Sequence, residues 1–451
     1  METPGPQQDA LGVWQRLLSA GCDALRERAA VCDAYSTADV TALRKKWDKE
    51  LVHAALALAK ARGKAAVKFG AAAARLVADP EGVEMATSRA AAAWKARRFA
   101  AAGGGTRRVL DLCCGIGGDA MAVRAAGLDV TCVDGDPVRA WMAGLNAGCD
   151  ARSILVEELL NGAAALRPAP GGDARGEGHG ADGIRQKPDA TEMFHIDPAR
   201  RVKNGSTSGR VWSLAEVQPG PEVLRAVVER WRDGAIKLAP GVGYAELAAA
   251  GLAGEVEIIS ERGGLTQAVL WTGQLSRGDG LRTATLLRCA ANTEPGPDDI
   301  ATLIGAPDVP ETLPVWPTGQ ESLPPKFIHE VDDSIERAEL LTALCARTGA
   351  AMLHPRLGLV ASNTLLHDPF LRGFELLEMA RWNEQRAAAV LKRLGAGSIE
   401  VKTRAKAVNP DEVQPALTKA ACVKSGVPLV LFVLRFGSEV RMLVARRVQR
   451  H

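Results

Sequence analysis

No apolar run in this sequence is long enough to cross a bilayer; the longest, VPLVLFVL at 427–434, falls far short of the roughly 20 residues a spanning helix needs. The start of the chain lacks the basic stretch and apolar block of an export signal, so a soluble, cytoplasmic protein with no membrane partner is expected. Nine cysteines are present, but there is no CxxC pair and no even framework. Reduced thiols are therefore expected rather than disulfides or a zinc site. Seven histidines show neither HxH nor HExxH spacing, and no metal is expected.

What is present is a chain of 451 residues, 47% of them apolar, long enough to bury more than one core and to form two or three domains. The net charge of +3 is unevenly spread. Residues 40–100 and 392–451 each carry an excess of eight positive charges, while residues 101–391 carry an excess of ten negative ones. Basic flanks of this size attract polyanions such as nucleic acids by counterion release, although a basic helix face also serves simply to stay solvated.

Residues 1–39 mix charges with small residues and read as a loosely attached tail with one short helix near Val13 to Ala30. STAD at 36–39 offers helix-capping hydroxyls, and Trp47, Leu51, Ala55 and Leu58 then recur at helical spacing. With the helical stretch VEMATSRAAAAWKARRFAAAG, they make residues 40–104 a helical module. Beyond Gly105 the period shortens: RVLDL, LDVTCVD, RSILVEE, EMFHID, GAIKLAP, EVEIIS and QAVLWTG read as strands. Helices or loops separate the first five, the alternation of a doubly wound α/β sheet, and ERGGLT joins the last two as an antiparallel hairpin. Residues 105–290 form this domain, interrupted at 167–190 by a Gly- and Pro-rich stretch expected to be a flexible insertion. Pro-rich residues 291–325 read as a linker, and 326–451 as a small α+β region, with helices over IERAELLTALCART and GFELLEMARWNEQRAAAVLKRL.

The stretch VLDLCCGIGGDA, 109–120, runs from a strand into a glycine turn. Gly115, Gly117 and Ala120 match the permissive dinucleotide fingerprint, and Asp134 follows where an acid holds a ribose, so the glycines alone leave a nicotinamide cofactor open. Three features favour S-adenosylmethionine. Asp111 stands at the exit of the first strand, where the dinucleotide motif keeps apolar residues. VDGDP puts Asp134 at the tip of the second strand, where its two oxygens can accept both ribose hydroxyls. IDPAR, 196–200, sets Asp197 at the carboxyl edge, where such sheets bind ligands.

Together, DLCCGIGGD, VDGDP and IDPARR resemble the bacterial class I S-adenosylmethionine-dependent methyltransferases that carry a C-terminal THUMP-like domain, with a core similar to trimethylguanosine synthase. ALRKKW and EMATSRAAAAWKARRF resemble their helical preface, and SIEVKTRAKAVNPDEVQPAL the THUMP-like tail at about 380–450. The resemblance implies a Rossmann-like α/β fold and methyl transfer to RNA. It makes Asp111, Cys113, Gly115, Gly117 and Gly118 the cofactor loop and Asp134 the ribose acceptor. Gly135 or Asp136 would border the adenine, and Glu157, assigned to the third strand, would reach its amino group. Asp197 would adjoin the transferable methyl and orient the acceptor, with Arg200 and Arg201 holding a phosphate or a neighbouring base. One departure is plain: amino-group methyltransferases follow DPP with an aromatic residue, and Ala199 and Arg200 stand there instead, leaving Trp212 as a candidate to stack from a later loop.

Each residue also has a plainer reading. Cys113 and Cys114 fit a tight turn, and His195 on its apolar strand suits a satisfied core histidine better than a base. Lys237 touches substrate or caps a strand end. Thr87 and Arg89 line the substrate entrance, or Thr87 caps the following helix. Arg200 and Arg201 form structural ion pairs with a nearby Asp or Glu if they do not hold a phosphate or base. Lys402, Arg404 and Lys406 face RNA from a strand or form a solvated face.

Overall fold

Leu11, Trp14 and Leu17 lie three apart on one face of helix α1 (Pro6–Leu18), and all three are buried. The structure, a computed structural model, describes residues 6–32, 36–102, 108–162, 192–200, 213–317, 323–354, 357–404 and 406–448. Helices α2 (Asp23–Val31), α3 (Thr37–Arg44), α4 (Lys49–Phe69), α5 (Pro80–Met85) and α6 (Arg89–Ala101) follow α1. Leu17 of α1 and Leu25 of α2 share a core with Val52, Leu58 and Ala61 of α4. The tail expected at 1–39 is thus corrected to two packed helices. Burial of their apolar faces against α4 supplies the stability that such short helices lack alone.

Caps fix the later helix starts. Ser36 accepts the Asp39 N–H at 3.3 Å and Asp48 accepts the Glu50 N–H at 2.9 Å. The single helix expected over 83–103 is two, because Ser88 turns its hydroxyl to the Ala91 N–H at 3.2 Å and starts α6 afresh. Lys68 closes the preceding helix: its ammonium donates to the carbonyls of Val83, Glu84 and Ala86 at 2.9, 2.6 and 2.7 Å.

The chain divides into two compact units, Met1–Leu281 with Leu287–Ile300, and Arg282–Leu286 with Ala301–His451. In the first, strands β1 (Arg108–Leu112), β2 (Asp129–Asp134), β3 (Asp150–Ser153), β4 (Glu192–Ile196), β5 (Gly234–Leu238), β6 (Glu255–Glu261) and β7 (Gly264–Thr272) stand in the order β6-β7-β5-β4-β1-β2-β3. The pairs β1–β2, β1–β4, β2–β3 and β4–β5 are parallel, and β7 is antiparallel to both β5 and β6, so the expected hairpin is present. Helices α7 (Gly118–Ala125) and α8 (Pro137–Ala147) connect β1 to β2 and β2 to β3. The chain leaves β1 towards β2 on one side and returns as β4 on the other. That reversal opens a crevice at the carboxyl ends of β1 and β4, where doubly wound sheets bind ligands. The third strand lies earlier than RSILVEE predicts, and Glu157 belongs to helix α9 (Val156–Leu160) instead.

In the second unit, β8 (Phe327–Val331), β9 (Ala351–Met352), β10 (Leu359–Ser362), β11 (Leu371–Arg381), β12 (Ala396–Arg404), β13 (Val427–Phe436) and β14 (Glu439–Arg447) form a sheet in the order β9-β10-β8-β11-β14-β13-β12. The helix expected over GFELLEMAR is corrected to strand β11. It pairs antiparallel with β8 and β14 at once, and that double pairing overrides the helical propensity of Leu, Glu and Met. Residues 291–325 contain a strand at Ile300–Gly305 and short turns at Pro297–Asp299 and Pro310–Thr312, so they are more than a linker.

Candidate active site

Three left-handed residues shape the loop after β1: Cys113 with φ 54°, Gly115 with φ 55° and Gly117 with φ 81°. Gly117 is obligatory for a second reason, since a Cβ there would lie 2.9 Å from the Cα of Ala143 in α8. Beside Gly115, by contrast, a Cβ would meet nothing within 4 Å, so the loop borders open space there. Asp134, at the end of β2, braces this loop: one carboxylate oxygen accepts the Gly115 N–H at 2.9 Å and the other accepts the Asp136 N–H at 2.9 Å. Burial pushes the Asp134 carboxyl up to about 6, against the lowering effect of those two hydrogen bonds. Asp136 caps α8 by accepting the Val138 N–H at 2.8 Å. Exposed Gly135 faces the Leu155 side chain, and Glu157 is half-buried on α9.

Below the loop lies a buried polar cluster. Asp111 and His195 are direct neighbours across β1 and β4, and His195 Nδ1 lies 2.7 Å from Asp111 Oδ1. Lys95 of α6 reaches His195 Nε2 at 3.1 Å and Asp119 of α7 at 2.7 Å, and Thr87 donates its hydroxyl to the second Asp119 oxygen at 2.7 Å. Burial raises the Asp111 carboxyl, opposed by His195 and Lys95. For Asp119 burial also pushes upward, but Lys95, His195 and Lys237 together hold it below the usual carboxylate range. The Thr87 hydroxyl is therefore engaged inside the fold rather than at an entrance. Lys95 was hidden to sequence reading in an alanine run; Asp119 closes the quoted GGD, and only its buried cation explains it.

At the carboxyl edge, the Asp197 N–H donates to the Leu112 carbonyl at 3.2 Å, fixing the turn after β4 to the end of β1. Lys237 of β5 donates to Asp197 Oδ2 at 2.6 Å. Burial would lower Lys237, but Asp197 and Asp119 raise it above the usual ammonium value. Gly118 opens α7, and a Cβ there would make only ordinary contacts. The structure thus brings together Asp111, Cys113, Gly115, Gly117, Gly118, Asp134 and Asp197 around one crevice. Arg89 lies at the start of α6, 3.9 Å from Glu294. Lys402 and Arg404 belong to the second unit, where Lys402 pairs with Glu330 at 2.8 Å and Arg404 with the same carboxylate at 3.5 Å. Arg201, Trp212, the Arg200 side chain and the stretch 167–190 lie outside the described residues.

The nine cysteines are free thiols. Burial, reinforced by nearby carboxylates, raises the Cys113 thiol well above its usual value. Cys114 is pushed up to about 12 by burial, so both residues are inert parts of the turn. Among the described residues no helix is long and apolar enough to cross a membrane.

Two observations test the crevice against S-adenosylmethionine. Asp111 Oδ2 is buried with no hydrogen-bond partner among the described residues, which suits a cationic ligand group, and the space beside Gly115 accepts a ligand against backbone amides. The residues fit the cofactor.

Comparison with known proteins agrees. Residues 371–447 match the THUMP domain-like family, which extends the module expected at 380–450 back through β11. The chain is 31% identical over 360 residues to an uncharacterized S-adenosylmethionine-dependent methyltransferase of Mycobacterium tuberculosis strain H37Rv, covering 79% of this chain and 84% of the relative. A counterpart from strain CDC 1551 gives the same figures. A crystal structure from Porphyromonas gingivalis W83, assigned as a methyltransferase, shares the fold over 99% of this chain and 100% of its own, with a TM-score of 0.67 and 15% identity. The cofactor is S-adenosylmethionine, and the chain belongs to the S-adenosylmethionine-dependent methyltransferases.

Proposed function

We propose that this enzyme transfers the methyl group of S-adenosylmethionine to RNA in the cytoplasm. The observation that carries this reading is the THUMP-like module in the same chain as the methyltransferase fold, since THUMP modules are RNA-binding. The two basic flanks of the sequence support it electrostatically.

The bound cofactor supplies an already activated methyl on a sulfonium, so the protein's own groups have only to bind, orient and exclude water. Asp134 accepts the ribose hydroxyls with its remaining lone pairs, and Gly135, Asp136 and Glu157 border the adenine. Asp111 takes the methionine end. Asp197, steadied by the Lys237 ammonium, would orient the acceptor towards the methyl, and placement of this kind accounts for much of the acceleration. Lys237 holds one oxygen of Asp197, and the lone pairs that remain on the carboxylate would align an incoming group. Arg89, Arg200 and Arg201 serve the RNA backbone. With Ala199 and Arg200 in place of proline and an aromatic residue, the base is held without the usual stacking partner at that position.

The test is incubation of the purified protein with methyl-labelled S-adenosylmethionine and RNA from a host lacking the gene, with Asp197→Ala as control. Label in nuclease-sensitive material, lost in the variant, supports RNA as acceptor. Label appearing instead in protein or small molecules refutes it.

A further inference from the structure

The glycine loop is held from behind as well as by Asp134. Its middle residue, Ile116, stands between left-handed Gly115 and Gly117, yet its side chain is buried in the core of the N-terminal helices with Leu76, Val77 and Val83. Helix α5 packs onto it so closely that a Cβ on Gly82 would lie 2.5 Å from Ile116 Cγ2. The polar half of this hold is Asn146, near the end of α8. Its side-chain amide pairs with the backbone of Val77 as a peptide group would: Oδ1 accepts the Val77 N–H and Nδ2 donates to the Val77 carbonyl, both at 2.9 Å. Nδ2 carries a second hydrogen and donates it to the Ile116 carbonyl, also at 2.9 Å. One amide thus joins two backbone segments that are remote in sequence.

We infer that Asn146 is a positioning residue for the cofactor: it couples the glycine loop to residues 76–79, so that the loop keeps its binding shape only while that segment is docked. Asp134 fixes the Gly115 N–H on one side of the loop, and Asn146 fixes the carbonyl one residue later on the other. Undocking 76–79 breaks two of the three hydrogen bonds that orient the amide and uncovers the Ile116 side chain, so the loop loses both supports on that side. Cofactor binding and docking of the segment are then one linked equilibrium. The inference concerns the cofactor alone, so it stands or falls separately from the RNA reading.

Hydrogen exchange followed by mass spectrometry reads that linkage. With S-adenosylhomocysteine at about a hundred times its dissociation constant, the amides of residues 76–83 in the wild type should exchange more slowly, by up to about a hundredfold. This segment supplies none of the residues assigned to the cofactor. In Asn146→Ala at the same saturation the slowing should be largely lost, whereas a slowing that reflects global stability alone persists. Calorimetry on that variant should show S-adenosylhomocysteine binding weakened by about tenfold, the worth of one hydrogen bond. Leu25→Ala, in the same core but on helix α2, should lower the melting temperature comparably and leave affinity within about twofold, which separates positioning from general loss of stability. Exchange at 76–83 that ignores the ligand, slowing that persists in Asn146→Ala, affinity of that variant within about twofold of wild type, or an equal loss of affinity in Leu25→Ala would each overturn the inference. If Asn146→Ala does not fold, Asn146→Asp, which keeps the acceptor for Val77 and loses both donors, must show the same losses.

Discussion

Asp134 accepts the backbone N–H of Gly115 at 2.9 Å, so the carboxylate that ends the second strand also holds the loop that follows the first. One side chain thereby fixes the distance between two halves of the cofactor site. Asp134→Ala should weaken S-adenosylhomocysteine binding by about 1.5 to 3 kcal/mol, the range for a charge-assisted hydrogen bond. Titration calorimetry measures it directly, and an affinity within about twofold of wild type would remove Asp134 from the site.

The same carboxyl gives binding a pH dependence. Its folded-state value, about 6, lies above the ordinary 3.8, so the free protein holds a proton between those values that the unfolded chain has released. Asp134 therefore opposes folding increasingly as pH rises through that window, and the effect levels off above about pH 6. Ribose hydroxyls need the ionised form as acceptor, so ligand binding must expel that proton at low pH. Affinity for S-adenosylhomocysteine should be flat above about pH 6.5 and fall towards tenfold per unit below pH 6. Asp134→Asn should abolish the slope; a slope that persists in that variant assigns it to another group.

Gly115 and Gly117 should respond differently to the same substitution. Gly117→Ala places a Cβ 2.9 Å from the Ala143 backbone at a positive φ, and should cost about 2 to 4 kcal/mol of stability. Gly115→Ala meets open space, so only the cost of the left-handed backbone, about 1 kcal/mol, applies to folding. Its main effect should be on the cofactor, whose approach the new methyl obstructs. Calorimetric melting and ligand titration on both variants check this, and equal melting temperatures would contradict it.

Asp197→Asn and Lys237→Met should lower the turnover rate far more than they lower cofactor affinity, because the role proposed for this pair is to orient the acceptor. A loss of about 10²-fold or more in kcat with S-adenosylhomocysteine affinity within threefold is expected. Loss of cofactor binding in step with turnover would move Asp197 to a purely cofactor-binding role.

Much of the fold was legible because its signals are local. The strand period, the glycines at 115 and 117 and the acids at 111, 134 and 197 each state their chemistry within a few residues, and so does the capping residue Ser36. Glu157 was misplaced because a four-residue strand and a one-turn helix leave almost no period to read. Residues Leu371–Arg381 were misread because their state is set by partners on two sides, both remote in sequence.

By itself, then, the sequence determined the strand alternation, the left-handed turn and the acids at strand ends, since each follows from the conformational range of a residue or from spacing along one element. Only the tertiary structure decided which charges meet. Lys95 sits among alanines and His195 among apolar strand residues, and neither is marked by a motif; pairing of β4 with β1 sets His195 against Asp111, and packing α6 and α7 against the sheet brings Lys95 to Asp119, where the cost of burying a charge is met by an opposite charge arriving from another element.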